Sequence, residues 1–236
     1  MSKFYFTFAP MTYSSHSESE ENYLKSLYLL TDHSNALVST NQVADKLSTK
    51  PSSVTDMMKK LAGKGLVSYQ PYKGMCLTKE GQLKARGIIR KHRLWETFLV
   101  QTLNFSWDEV HDSAEQLEHV NSPLLIDRLD AFLEFPTRDP HGDPIPDALG
   151  EYRTEQDLLL SHAPENEDLH VVRVKDSSNV FLKHLDAIKI NLNTRLRILE
   201  KYPYDQSVRV IIDDTTEHIL TQKLSDNLWV HKVKGI

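Results

Sequence analysis

The stretch STNQVADKLSTKPSSVTDMMKKLAGKGLVSYQPYKGMCLT, Ser39 to Thr78, decides how this chain folds. Ser39 and Gln42 form an S-x-x-Q capping pattern before Val43, Ala44 and Leu47, so a helix begins there. Ser48-Thr49-Lys50 interrupts it. Pro51 then opens a second helix, because proline lacks the N–H that a first helical turn leaves unpaired anyway. That helix places Val54, Met57, Met58 and Leu61 on one stripe, leaves Ser52, Ser53, Thr55, Asp56, Lys59 and Lys60 on other faces, and ends at Gly63 and Gly65. Two β-prone runs follow, flanking Pro71-Tyr72-Lys73-Gly74, the composition of a hairpin tip. Helix, turn, helix and hairpin in that order predict a winged helix-turn-helix.

Working outward, Tyr23, Leu24, Leu27 and Tyr28 recur at helical spacing behind Glu20 and Glu21, whose charge suits a helix N-terminus. Residues 1–17 show no period; a disordered arm and a misplaced start codon ahead of Met11 both fit. Downstream, Lys79 to about Leu103 reads as one long helix carrying Leu83, Ile88, Ile89, Leu94, Phe98 and Leu99. Ser106 and Glu109 form an S-x-x-E capping box for a helix running to about Val120. Ser122-Pro123 starts another that ends near Phe135, and its Leu124, Leu125, Leu129, Phe132 and Leu133 suit a dimer seam as well as ordinary core. The loop PTRDPHGDPIP, 136–146, closes the helical part. From about Leu169 the pattern alternates, and VVRV, LRILE, VRVII and LWVHKV read as strands of a partly open barrel. The expected fold is mainly α with a smaller β part: an arm over 1–17, a winged helix over 18–78, a helical domain over 79–146, a linker over 147–168 and a β domain over 169–236.

A chain of 236 residues can bury a sizeable core in one or two domains. Its lone Cys76 excludes an internal disulfide and a cysteine-based zinc cluster, which points to a reducing compartment. The opening MSKFYFTFAP lacks the apolar core of a signal peptide, and no apolar run is long enough to cross a bilayer, so the expected location is the cytoplasm, away from any membrane. The net charge of -5 conceals an uneven distribution. Lys46–Arg93 holds 12 Lys and Arg against two acids, a local +10, whereas Leu94–Leu160 holds 3 against 15, a local -12. The first segment suits a polyanion and the second suits cations.

The cation-suited segment contains HDSAEQLEH, His111–His119. At about 100° per residue, with His111 at zero, Glu115 lies at about 40°, Glu118 at about 340° and His119 at about 80°, all on one stripe. His92 and Glu96, four apart, share a face of the preceding helix. Two such His/Glu faces can supply oxygen and imidazole ligands to divalent ions; read blandly, they are solvated helix surface. A metallohydrolase using Glu115 or Glu118 as base is a rival, but the chain has no Gly-rich phosphate loop, HExxH motif or nucleophile elbow. A metal-independent DNA-binding protein with inert acidic helices is a second rival, distinguished by equal DNA affinity with and without a chelator.

In combination, ENYLKSLY, KPSSVTDMMKKLAGKGLV, YKGMCLTKEG, RKHRLWETFL, VHDSAEQLEHV and PHGDPIP resemble the diphtheria toxin repressor family of metal-dependent transcriptional regulators, over about Glu20 to Val233. The resemblance implies a winged helix, a helical dimerisation and metal-binding domain, and a C-terminal SH3-like, FeoA-like β-barrel. It implies an ancillary metal site of His92, Glu96 and His111, and a regulatory site of Glu115, Glu118 and His119 with Asn22 from the first helix, where relatives more often carry Met or Asp. His184 is the candidate for a ligand from the C-terminal domain. Manganese-responsive relatives carry Glu at the position of Glu115, whereas iron-responsive ones tend to carry Cys; a sulfur-free set of carboxylate, amide and imidazole agrees with Mn²⁺, with Fe²⁺ as the alternative and Zn²⁺ or other divalent ions able to occupy the sites in vitro. Expected partners are a second copy of the chain and a palindromic duplex operator of metal-uptake genes. Lys50, Ser52, Thr55 and Asp56 would face bases, and Ser53, Lys59, Lys60 and Lys73 would meet phosphates.

Overall fold

The computed structural model describes residues 17–31, 36–153 and 157–233; residues 1–16 of the expected arm lie outside them. The chain divides into two compact units. One holds the residues up to Trp95 together with Glu115–Phe135 and Pro146–Tyr152; the other holds Glu96–Ala114, Pro136–Ile145 and the residues from Arg153.

The first unit opens with α1 (Glu18–Leu30). Its N-cap is Ser17, which exchanges capping-box hydrogen bonds with Glu20. Helices α2 (Thr40–Lys46) and α3 (Pro51–Gly63) follow, with the Ser39/Gln42 capping box and the Pro51 start that the sequence predicts. Gly65, at φ +73°, reverses the chain after α3, and Leu66 N–H donates back to Leu61 O at 3.0 Å. Strands β1 (Val67–Gln70) and β2 (Gly74–Leu77) pair antiparallel, and Val38 bridges to Met75 from the other edge. Val54, Met58 and Leu61 from α3 are fully buried against Leu24, Leu27 and Tyr28 of α1 and Met75 of β2. At about 1.5–3 kcal/mol for each large apolar side chain, this packing holds the three helices and the wing together. Met57, expected on the same stripe, is only half-buried at its edge.

Helix α4 (Lys79–Leu103) runs as expected and contributes to both units. Between Gly87 and Thr97 it is buried on every face, including Arg90, Lys91 and Arg93. Three of the cations counted in the +10 segment therefore serve the interior: Arg90, for example, donates to Asp130 at 2.6 Å and to Pro146 O at 2.7 Å. Helix α5 covers only His111–Leu117. Ser106 N–H donates to Glu109 Oε1 at 3.1 Å, as the capping box predicts, but residues 107–109 form a separate turn, and Glu118 and His119 lie in the turn after α5. Their convergence therefore comes from that turn and not from a continuous helical stripe. Helix α6 (Pro123–Phe132) stops short of Phe135 because Glu134 and Phe135 both adopt positive φ, 60° and 58°. Leu129 and Leu133 are buried, whereas Leu124, Leu125, Phe132 and Phe135 are exposed.

The second unit is built on a six-stranded antiparallel sheet of β3 (Leu158–Leu159), β4 (Asp168–Val174), β5 (Arg195–Lys201), β6 (Val208–Ile212), β7 (Thr216–Leu220) and β8 (Leu228–Lys232), in the order β3-β8-β4-β5-β6-β7. Bulges between Val171 and Arg173 and between Ile198 and Glu200 add local twist. The sheet starts at Leu158, inside the segment expected to be a linker ending at 168. A two-residue strand is too short to show alternation, which is why it escapes a periodicity reading. Helix α7 (Asn179–Ala187) buries Leu182 and Leu185 in the sheet's core, and α8 (Gln222–Ser225) buries Leu224. Among the described residues no helix is long and apolar enough to cross a membrane.

Candidate metal centre

In the first unit, side chains from α1, α4, α5 and the turn after α5 converge on one amine. Lys25 Nζ of α1 lies 2.5 Å from Glu118 Oε2, 3.3 Å from Glu115 Oε1 and 3.2 Å from His92 Nδ1. His92 Nδ1 is itself 2.7 Å from Glu118 Oε2. The Glu118 side chain is 1 % exposed and that of Glu115 53 %, so one carboxylate is desolvated and the other remains at the water boundary. Burial pushes the Glu118 carboxyl up, but the His92 hydrogen bond and the Lys25 charge outweigh it and hold the group below its ordinary value. His119 completes the group: its Nε2 is 3.8 Å from Glu118 Oε1.

Glu21, one turn before Lys25 on α1, fixes His119. Its Oε2 is 2.7 Å from His119 Nδ1 and 3.7 Å from Lys91 Nζ. A carboxylate oxygen only accepts, so in the neutral imidazole Nδ1 carries the proton and the Nε2 lone pair is left facing Glu118. Such carboxylate–imidazole pairs orient metal-binding histidines. Burial lowers the Lys91 amine despite Glu21 and Glu118 nearby. The sequence suggested only a helix-dipole role for Glu21; its spacing of four from Lys25 and seven from the buried Tyr28 is the signal that places it on an inward face. Asn22, expected as the α1 ligand, stands exposed, and it is Lys25 that reaches the cluster. His92, four residues before Glu96 on α4, is also hydrogen-bonded to Glu118.

In the second unit Glu96 is almost fully buried and is shared by two histidines, with Oε1 3.3 Å from His111 Nδ1 and Oε2 3.7 Å from His141 Nδ1. His141 Nε2 donates to Trp107 O at 2.7 Å, Asp139 Oδ1 accepts from the His141 and Asp143 N–H groups, and one ligand atom each from Asp139, Glu96 and His141 lie within 4.8 Å of one another. Burial alone would lower the His141 imidazole, but Glu96, Asp139 and the Trp107 carbonyl raise it to about 9. A raised folded-state value means that its stabilisation is complete below about 6.5 and is lost as pH climbs towards 9. Chelator-treated protein should therefore lose about 2–3 kcal/mol between pH 6.5 and 9 in urea titrations, and His141→Phe should flatten that slope. His184 is exposed on α7.

On the other face of the winged helix, Lys50, Ser52, Ser53, Asp56, Lys59, Lys60 and Lys73 are all exposed and Thr55 is half-buried. Thr55 Oγ1 donates to Pro51 O at 3.0 Å, Lys59 lies 3.9 Å from Asp56, and Lys60 lies 3.2 Å from Glu20. At the wing tip, Tyr72 projects fully into solvent beside Lys73.

The donors in both units are carboxylate oxygens and imidazole nitrogens without sulfur, a set suited to a divalent ion of the first transition row. Glu115 and Glu118 already hold one positive charge between them, the Lys25 ammonium, so the charge of the group fits a cation.

Comparison with known proteins agrees with both halves of this arrangement. Residues 16–75 match the family described as "Iron dependent repressor, N-terminal DNA binding domain", residues 78–147 match "Iron dependent repressor, metal binding and dimerisation domain", and residues 158–232 match the FeoA domain. The chain is 28% identical over 233 residues to the diphtheria toxin repressor of Corynebacterium glutamicum, covering 92% of this chain and 98% of that protein. It is 39% identical over 118 residues to an uncharacterized HTH-type transcriptional regulator of Methanocaldococcus jannaschii, covering 50% of this chain and 94% of that one. Among solved structures, a manganese-dependent transcriptional repressor in complex with manganese superposes with a TM-score of 0.82 at 36% identity, covering 91% of this chain and 100% of the other. The manganese regulator SloR gives 0.74 at 33%, covering 90% and 98%. The chain belongs to the diphtheria toxin repressor family of metal-dependent transcriptional regulators.

Proposed function

We propose that this protein is a Mn²⁺-dependent transcriptional repressor, in which the ion acts as corepressor by tying α1 to the helices behind it. The observation that carries the reading is the meeting of Glu115, Glu118, His119 and His92 with two α1 side chains, Glu21 and Lys25, in the unit that also contains the recognition helix α3. Glu115, Glu118 and His119 would hold the regulatory ion, and His92, Glu96 and His111 would hold an ancillary ion. The bound ion supplies concentrated positive charge with preferred bond directions. Glu118 supplies desolvated negative charge, Glu21 aims His119, and α1 transmits the resulting constraint to α3 through the packing of Leu24, Leu27 and Met58.

Two copies would meet through the exposed Leu124, Leu125, Phe132 and Phe135 of α6 and its C-terminal turn. A dimer presents two α3 helices to successive major grooves, about 34 Å apart, of a palindromic operator. Lys50, Ser52, Thr55 and Asp56 would read bases, and Ser53, Lys59, Lys60 and Lys73 would contact phosphates. Metal-uptake genes in the cytoplasm are the targets the reading implies. Fe²⁺ is the alternative corepressor, and Zn²⁺ fits the same donors in vitro.

The test is selection on random duplex DNA, run in parallel with Mn²⁺ and with a chelator. A palindrome enriched only with Mn²⁺ is the expected result, whereas equal enrichment in both arms would leave a metal-independent DNA binder. Lys73→Ala should lower the slope of log affinity against log salt by about 1 while leaving the selected sequence unchanged; filter binding over a salt series reads both.

A further inference from the structure

We propose that Lys25 is a built-in competitor of the metal: its ammonium shares the ligand set with the ion, so its removal tightens metal binding and shifts the response to lower metal concentration. This rests on the regulatory reading of Glu115, Glu118 and His119 given above.

Three observations carry it. First, Lys25 Nζ lies 2.5–3.3 Å from Glu118, His92 and Glu115, within contact distance of three side chains assigned to metal. A cation held by the same oxygens would be a like charge about 4 Å from the ammonium, and at that distance repulsion in a partly buried site is worth several powers of ten in affinity if neither charge moves. Second, the Lys25 side chain is 10 % exposed, so the amine cannot be screened where it sits. Its contact with the half-exposed Glu115 marks the side on which its stem can swing towards water. Third, Lys91 lies 3.7 Å from Glu21, and Lys60 and Lys64 lie 3.2 Å and 2.6 Å from Glu20, so these lysines sit closest to other carboxylates while Lys25 is in direct contact with Glu118 at 2.5 Å.

The consequence is a threshold. Binding an ion requires Lys25 to be expelled from Glu118, and that cost subtracts from the affinity the ligands would otherwise give. Because Lys25 is on α1, its departure also replaces a flexible amine contact between α1 and Glu118 by coordination with fixed directions.

The experiment compares wild type, Lys25→Met and Lys25→Arg as full-length protein. Mn²⁺ affinity is measured by competition with a fluorescent chelator, and thermal stability is measured in excess chelator. Lys25→Met is expected to bind Mn²⁺ about tenfold or more tightly while melting lower than wild type in chelator, because Glu118 has lost its counter-charge. Lys25→Arg keeps the charge and should keep the weaker affinity. These opposite directions separate competition from a merely structural role, which would weaken both. Mn²⁺ binding by wild type with equal or weaker binding by Lys25→Met overturns the competitor role and leaves the regulatory site standing. Binding by Lys25→Met alone supports the role in its strongest form. No binding by any of the three overturns the regulatory site and the competitor with it.

Discussion

Glu118→Gln should abolish metal control and weaken the fold at once. The side chain is 1 % exposed and is the common partner of Lys25 and His92, so the neutral amide leaves the mostly buried Lys25 ammonium with only the half-exposed Glu115. Breaking a buried pair on one side costs about 3–5 kcal/mol, and the remaining Glu115 contact places this case near 3 kcal/mol in chelator. Loss of an orienting partner outside the ligand set typically costs 10–100-fold in metal affinity, so loss of the ligand itself should weaken Mn²⁺ binding by at least about 100-fold. Urea unfolding and a Mn²⁺ titration of the same preparation read the two effects. Glu118→Gln with wild-type metal affinity would show that Glu118 is a structural counter-ion only.

The second large effect is expected in the loop that carries His141. Gly142→Ala should destabilise the protein by about 3 kcal/mol or more. Gly142 has φ +84°, and a Cβ there would lie 2.0 Å from Val172 O and 2.6 Å from Arg173 Cα, both backbone atoms of β4 that cannot step aside. Left-handed strain of about 1–2 kcal/mol adds to a clash that only displacement of the loop can relieve. The displacement would be felt locally. Val174 N–H donates to His141 O at 2.9 Å, Arg138 Nη1 donates to Gly142 O, and His141 meets Glu96 through this same loop. Chemical denaturation should show the loss, with the high-pH decline of stability attributed to His141 reduced in parallel.

What the sequence made legible follows from the range of each signal. Capping boxes at Ser39 and Gln42, Pro51 at a helix start and the hairpin composition at Pro71–Gly74 act within four residues, and the winged helix they predict is the one observed. The α4 boundaries were legible for the same reason. The His/Glu spacing of HDSAEQLEH puts its four side chains on one helical stripe, a geometry only partly observed, since α5 ends at Leu117 and the turn beyond it carries Glu118 and His119. Lys25, Glu21 and His141 escaped because each meets its partner across a long sequence separation, as in the contacts of Lys25 with Glu118 and of Glu21 with His119, and no periodicity encodes such a meeting. The local +10 of Lys46–Arg93 overstated the charge available to DNA, because a count along the chain cannot tell an exposed Lys59 from a buried Lys91. The strand at Leu158 is two residues long, too short to show alternation, and helix α7 is a single nine-residue element set among strand-like runs.

The most direct measurement is the Mn²⁺ affinity of the protein alone and in the presence of saturating operator duplex from the selection. Coupling between the two sites is reciprocal, so if Mn²⁺ tightens DNA binding by some factor, the duplex must tighten Mn²⁺ binding by the same factor, expected at about 5–150-fold. Agreement of the two factors within error is the predicted result. Mn²⁺ affinity unchanged by the duplex, with DNA affinity unchanged by Mn²⁺, would contradict metal control and return Glu115, Glu118 and His119 to the role of structural counter-charges.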